Sequence, residues 1–154
     1  MKLEESSIDF ESSIGPWLGK TVKIVEFYLQ ESLRGINVDL TKEQMIVLKR
    51  LHDKDGQSQN ELAFITLRNK SSLTRLLSNM EKKQYIIRKQ STIDKRINHV
   101  HLTEFGIETF KRIKPILKNM ISTMEKNISI FEKEQIIEIL KKIQFNFDSK
   151  IESF

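Results

Sequence analysis

A mainly α-helical fold with one small β-hairpin is predicted for this 154-residue chain. Apolar residues recur at helical spacing through most of its length. Two β-prone runs, residues 85–89 and 97–102, are joined by a short polar loop. With only five glycines and two prolines there is no Gly/Pro-rich linker, so a single domain over residues 1–154 is expected.

The first helix is expected over residues 14–34. Ile14, Leu18, Val22, Val25 and Leu29 lie near the helical period, with Trp17, Thr21 and Tyr28 beside them. Pro16 fits the first turn, where a missing N–H costs little. Gly35-Ile36-Asn37 is a plausible stop. Thr41 and Gln44 then form a capping box that opens a second helix carrying Met45, Val47, Leu48 and Leu51. Asp53-Lys54-Asp55-Gly56 supplies the turn that ends it.

Ser58 and Glu61 make another capping box, followed by a short helix with Leu62, Ala63 and Ile65. Asn69 is placed to cap the next helix, whose apolar stripe is Leu73, Leu76, Leu77 and Met80. A short helix, a tight connection and a second helix form the helix-turn-helix pattern. The β-prone runs follow, with the loop 91–95 between them, so the lobe 41–102 reads as a winged helix-turn-helix.

Thr103 caps a long helix expected to reach about residue 127, with Pro115 kinking it or removing one hydrogen bond. A last helix is expected over residues 132–149. Ile136, Leu140, Ile143 and Phe147 line one side of it, broadened by Ile137 and Ile139. That is more apolar surface than a thin outer helix can hide, and such a patch marks an interface.

Charge is unevenly placed. Between Arg68 and His101 there are nine basic residues against Glu81 and Asp94, a local balance of +7. The rest of the chain has 17 basic and 19 acidic residues, or −2. A field of this kind points to a polyanion. The chain has no cysteine, which excludes disulfides, thiolate metal sites and thiol-based oxidant sensing. No apolar run approaches the roughly 20 residues of a membrane span, and the polar N-terminus lacks a signal-peptide core, so the cytoplasm is the expected location. There is no GxSxG, phosphate loop or paired-carboxylate motif, so no enzyme activity and no cofactor are expected. His99 and His101 share one strand face but lack a clear third ligand; solvated strand histidines are expected, with no metal.

The order of elements resembles the MarR family of transcription regulators. Leu40-Thr41-Lys42-Glu43-Gln44 is similar to that family's LTxxQ, Asn60-Glu61-Leu62-Ala63 to its (S/N)ELA, and Ser71-Ser72-Leu73-Thr74-Arg75-Leu76 to its recognition helix. Asp94-Lys95-Arg96 matches its DxR wing signature, and Leu102-Thr103-Glu104-Phe105-Gly106 its LTxxG. One residue departs from the pattern: Gln84 stands where the family usually has Gly. If its backbone is left-handed, the cost is on the order of 1 kcal/mol.

The resemblance implies a dimeric repressor of a palindromic double-stranded DNA operator, relieved by a small-molecule effector. Residues 14–34 and 104–149 would be dimerisation helices, with Ile136, Leu140, Ile143 and Phe147 at the interface. Asn69, Lys70, Ser71, Ser72, Thr74 and Arg75 would meet DNA from the recognition helix, since hydroxyls and cations suit base edges and phosphates in a major groove. Arg96 at the wing tip would enter a minor groove, Lys95 would touch phosphate, and Asp94 would orient Arg96 or pair with Arg75. Trp17, Thr21, Met45 and His52 are candidates for the effector pocket. A winged helix serving protein or RNA binding is the alternative, because fold alone does not fix function.

Overall fold

The computed structural model describes residues 7–65 and 70–148, the side chain of Phe64 excepted. The expected capping role of Asn69 lies outside these residues. Five α-helices and a three-stranded sheet are present among them: α1 Ile14–Gly35, α2 Lys42–Asp53, β1 Gln57–Ser58, α3 Lys70–Lys82, β2 Ile86–Gln90, β3 Asn98–Leu102, α4 Glu104–Met124 and α5 Ile130–Phe147. The chain divides into two compact units, Met1–Ile116 and Leu117–Phe154. The boundary follows Pro115, which α4 accommodates inside an otherwise continuous helix. Among the described residues no helix is long and apolar enough to cross a membrane.

Helix boundaries follow local chemistry. At α2 the Thr41 hydroxyl accepts from the Gln44 N–H at 3.2 Å, and the Thr41 N–H donates to Gln44 Oε1 at 3.1 Å. Gln44 is buried, so this box also satisfies a polar group inside the core. Helix α1 stops through a left-handed Asn37, with φ of 54°. The N–H groups of Asn37 and Val38 return to Arg34 and Leu33 at 3.0 Å each. Val38 and Leu33 are both buried, which completes the apolar contact of a Schellman stop.

Helix α3 ends the same way. Gln84 has φ of 65°, its N–H bonds to Glu81 O at 2.9 Å, and the Tyr85 N–H reaches Met80 O at 3.0 Å. The left-handed backbone expected if Gln84 replaced a Gly is therefore present.

The Ser58–Glu61 box forms, with bonds of 2.7 and 3.2 Å, and the short helix expected after it is, over the described residues, a 3₁₀ helix, Ala63–Ile65. Bonds from Ala63 to Asn60 and from Ile65 to Leu62 tighten it to the i→i−3 pattern. Two helix bounds are corrected. Helix α4 stops at Met124 because Asn127, with φ of 61°, turns the chain. Helix α5 starts at Ile130, two residues early, because Ser129 and Glu132 form a further capping box, with bonds of 3.1 and 2.8 Å.

The sheet is antiparallel in the order β1-β3-β2. The hairpin register runs from Ile86 opposite Leu102 to Gln90 opposite Asn98. Strand β1 adds Gln57 opposite Val100 and Ser58 opposite His99. The core of the first unit collects Leu29, Leu33, Leu40, Val47, Leu48, Leu51, Leu62, Leu73, Leu77, Met80, Ile86, Val100, Phe110 and Ile113. Helix α5 contains no buried residue.

Candidate nucleic-acid interface

Helix α3 divides by face. Leu73, Leu77 and Met80 are buried, with Leu76 half-buried beside them. Lys70, Ser71, Thr74 and Arg75 are exposed, and Ser72 is half-exposed. The apolar stripe thus fixes the helix on the core and turns the hydroxyls and cations outward. The Thr74 hydroxyl donates to the Lys70 carbonyl at 2.9 Å, which orients it along the helix.

The wing tip is organised around Asp94. Its carboxylate accepts from Arg96 Nε at 3.1 Å, Arg96 Nη2 at 3.0 Å and the Arg96 N–H at 3.0 Å. The Arg96 guanidinium beside Asp94 holds that carboxyl below the usual carboxylate range. Arg96 nonetheless keeps 89% of its side chain exposed. An exposed pair of this kind adds little stability; its physical effect is to limit the directions the guanidinium can take. Of the two partners expected for Asp94, the structure selects Arg96. Lys95 is exposed in the same turn. Lys70, Thr74 and Arg96 line one cleft of about 160 Å³ with Asn60 and Asn98, so the outer face of α3 and the base of the wing border a single polar surface.

Two connections position the wing, and sequence reading missed both. Arg88 of β2 donates through Nε to Glu81 Oε2 at 2.9 Å and through Nη2 to Ser78 Oγ at 3.2 Å, while its N–H bonds to Glu81 Oε1 at 3.2 Å. This clasp joins the C-terminal half of α3 to the wing, and Arg88 holds the Glu81 carboxyl below its usual range. Glu81 is the one acid in α3, which was the available signal. The second connection is at the other end of β2. Thr103 N–H donates to Tyr85 O at 3.1 Å, and its hydroxyl donates to Gln84 O at 2.6 Å while accepting from the Gly106 N–H at 2.9 Å. The Tyr85 and Phe105 rings stack there with centroids 5.0 Å apart.

The sequence model of the MarR family matches residues 40–97, which span α2, α3, β2 and the wing loop. Solved structures agree with the fold along nearly all of the chain. MepR of S. aureus, solved in complex with DNA, is 25% identical with a TM-score of 0.79, covering 91% of this chain and 100% of its own. AbsC of Streptomyces coelicolor, a MarR family transcriptional regulator, is 20% identical with a TM-score of 0.80, covering 94% and 98%. BpsR of Bordetella bronchiseptica, whose DNA binding is regulated by 6-hydroxynicotinic acid, is 17% identical with a TM-score of 0.77, covering 90% and 97%.

Over residues 40–97 the chain is similar to the MarR family. Its five helices and small antiparallel sheet make the winged-helix fold that those solved structures share. Placed on this MarR fold, the four effector candidates separate. Trp17 is 59% exposed and Thr21 lies one turn on, its hydroxyl donating to the Trp17 carbonyl at 2.7 Å. The Trp17 indole N–H donates to Glu11 O at 2.6 Å, in a groove shared with Phe10, Pro16 and Lys20. Met45 is buried, and the His52 ring packs on Phe110 with centroids 4.5 Å apart.

The wing histidines are not simply solvated. His99 Nδ1 is 3.0 Å from Gly56 O and His101 Nδ1 is 3.3 Å from Asp55 Oδ2, so both tie β3 to the turn after α2. Asp55 also accepts from the Leu102 N–H at 2.9 Å. That turn bends through Gly56, with φ of 72° and His101 against the place a Cβ would occupy.

Of the expected interface residues on α5, Ile136 and Phe147 are 53% and 88% exposed, while Leu140 and Ile143 are half-exposed. Helix α1 likewise exposes Ile14, Val22, Ile24, Phe27 and Tyr28.

Proposed function

We propose that this chain is a MarR-family regulator that binds double-stranded DNA sequence-specifically as a homodimer, represses from a palindromic operator and is released by a small-molecule effector. The observation that carries the DNA-binding reading is the shared polar surface of α3 and the wing, with Lys70, Ser71, Thr74 and Arg75 outward on one element and Arg96 aimed by Asp94 on the other. A helix with this face suits a major groove and an exposed tip arginine suits the adjacent minor groove. MepR, solved in complex with DNA, supports the use of the same fold for DNA binding.

Dimerisation is supported by the unburied apolar residues of α1 and α5, which a second copy would cover. One winged helix reads few base pairs, and a two-fold dimer would place two of them about one helical turn apart. The effector is supported by the regulation of BpsR by 6-hydroxynicotinic acid. On this chain Trp17, Thr21 and His52 are the exposed members of the candidate set, and Met45 is buried.

A footprint on the promoter region beside the protein's own gene tests this reading, with and without aromatic carboxylic acids. The expected result is a symmetric protected region that weakens with one of the acids. Protection without two-fold symmetry would contradict the dimeric operator, and protection indifferent to every acid would remove that effector class.

A further inference from the structure

We propose that Ile93 is the apolar half of the wing's DNA contact, entering the minor groove beside Arg96 and packing against its sugar walls and A·T floor. The inference rests on the duplex-binding function proposed above.

At the apex of the β2–β3 loop, Ile93 is 97% exposed, more than any other large apolar side chain among the described residues. The loop does not depend on that side chain for its shape. Ser91 Oγ accepts from the Ile93 and Asp94 N–H groups, both at 3.2 Å. The Ser91 N–H donates to Ile97 O at 2.8 Å and the Ile97 N–H to Asp94 O at 3.0 Å. Gln90 Nε2 donates to the Lys95 carbonyl, and Asp94 gathers the Arg96 side chain and N–H. Polar groups therefore hold the turn, and the β-branched side chain projects from a constrained backbone with few rotamers to lose on binding.

Ile93 and Arg96 flank Asp94 in one short loop and both are almost fully exposed, so a groove that admits the loop tip is open to both side chains. A narrow A·T minor groove suits both side chains. Its negative potential favours the cation. Its floor lacks the guanine N2 amino group, which would obstruct an apolar side chain and leave a donor unpaired beneath it. Apolar side chains are used in this way by minor-groove proteins. Isoleucine carries no charge, so its contribution must be independent of salt, unlike that of Arg96 or Lys95.

The test uses the full chain and a duplex recovered by the wild-type protein from a randomised library. Affinity is measured across a salt series for wild type, Ile93→Ala, Ile93→Leu and Arg96→Ala. Ile93→Ala is expected to weaken binding about tenfold with an unchanged log–log salt slope, and Ile93→Leu to retain most of the affinity. Arg96→Ala should instead flatten the slope by about one unit. Replacing the A·T pairs protected in the minor groove by inosine·cytosine should preserve the Ile93 effect, and replacing them by G·C should abolish it. Binding by Ile93→Ala as tight as wild type overturns the inference, as does a loss indifferent to the minor-groove pairs. A wild-type protein that recovers no duplex overturns both the inference and the function on which it rests.

Discussion

A Cβ built on Gly106 would stand 2.2 Å from the carbonyl oxygen of Tyr85. Helix α4 therefore starts in direct contact with the backbone that enters β2, an approach only glycine permits. The same Tyr85 carbonyl accepts the Thr103 N–H, so the wing and the first turn of α4 are one rigid junction.

This contact reverses an ordinary expectation. Gly106 is helical, and helix propensity alone makes Gly106→Ala stabilising by about 1 kcal/mol. The clash predicts the opposite, a loss of about 1–3 kcal/mol as the junction shifts. Urea unfolding of the two proteins decides the sign, and a more stable Ala variant would refute the contact.

Gln84 carries a removable strain. Its left-handed backbone is set by the Schellman stop of α3 and by the Thr103 hydroxyl on its carbonyl. Relief of about 1–2 kcal/mol of left-handed strain, less the extra entropy a glycine loses, predicts that Gln84→Gly stabilises by roughly 0.5–1 kcal/mol. Thermal unfolding should show a small rise in Tm, and Gln84→Val should show a fall, since a β-branched residue tolerates this region worst. Equal Tm values for all three would mean that no strain resides there.

The Glu81–Arg88 clasp gives a pH signature. Glu81 is shifted down in the folded protein, first by its hydrogen bond to the Arg88 side chain. A depressed carboxyl contributes stability that is complete above the usual carboxylate range and is lost as pH falls through the folded value. Both side chains are partly exposed, so the contribution is at most about 1 kcal/mol. Wild type should exceed Glu81→Gln in stability at neutral pH by that amount, and the gap should close below about pH 4. A gap of constant size from neutral to strongly acidic pH would show that the carboxylate charge contributes nothing.

Asp94 and Arg96 should act as a unit on DNA. Removing the guanidinium costs a groove contact worth roughly 1–3 kcal/mol. Asp94→Asn leaves the cation in place but loosens its aim, so a smaller loss is expected. In the double variant Asp94→Asn/Arg96→Ala the Asp94 change should add nothing further. Additive losses in a titration against one duplex would indicate that Asp94 acts elsewhere.

Much of the fold was legible because its signals are local. The Thr41 and Ser58 boxes span four residues each, the helical stripes repeat within a turn, and Gln84 announced its own backbone by replacing an expected glycine. The Ser129 box had the same four-residue form and was overlooked. Other features were hidden for physical reasons. Strand β1 is two residues long and shows no period. The partners of His99 and His101 lie more than forty residues back along the chain, and the Arg88 clasp crosses from helix to strand, where no fixed spacing announces a pair. Ile93 was read as part of a polar loop, since composition averages over the one side chain that differs. The accessibility of Trp17 against the burial of Met45 required the folded core.

We propose that α3 and the wing together grip duplex DNA. This grip is tested most directly by the affinity of the full chain for a selected duplex and for single-stranded RNA across one salt series. Clear preference for the duplex is expected, with log affinity falling linearly against log salt at a slope several units negative. Equal or tighter binding to the RNA, or a slope near zero, would contradict it.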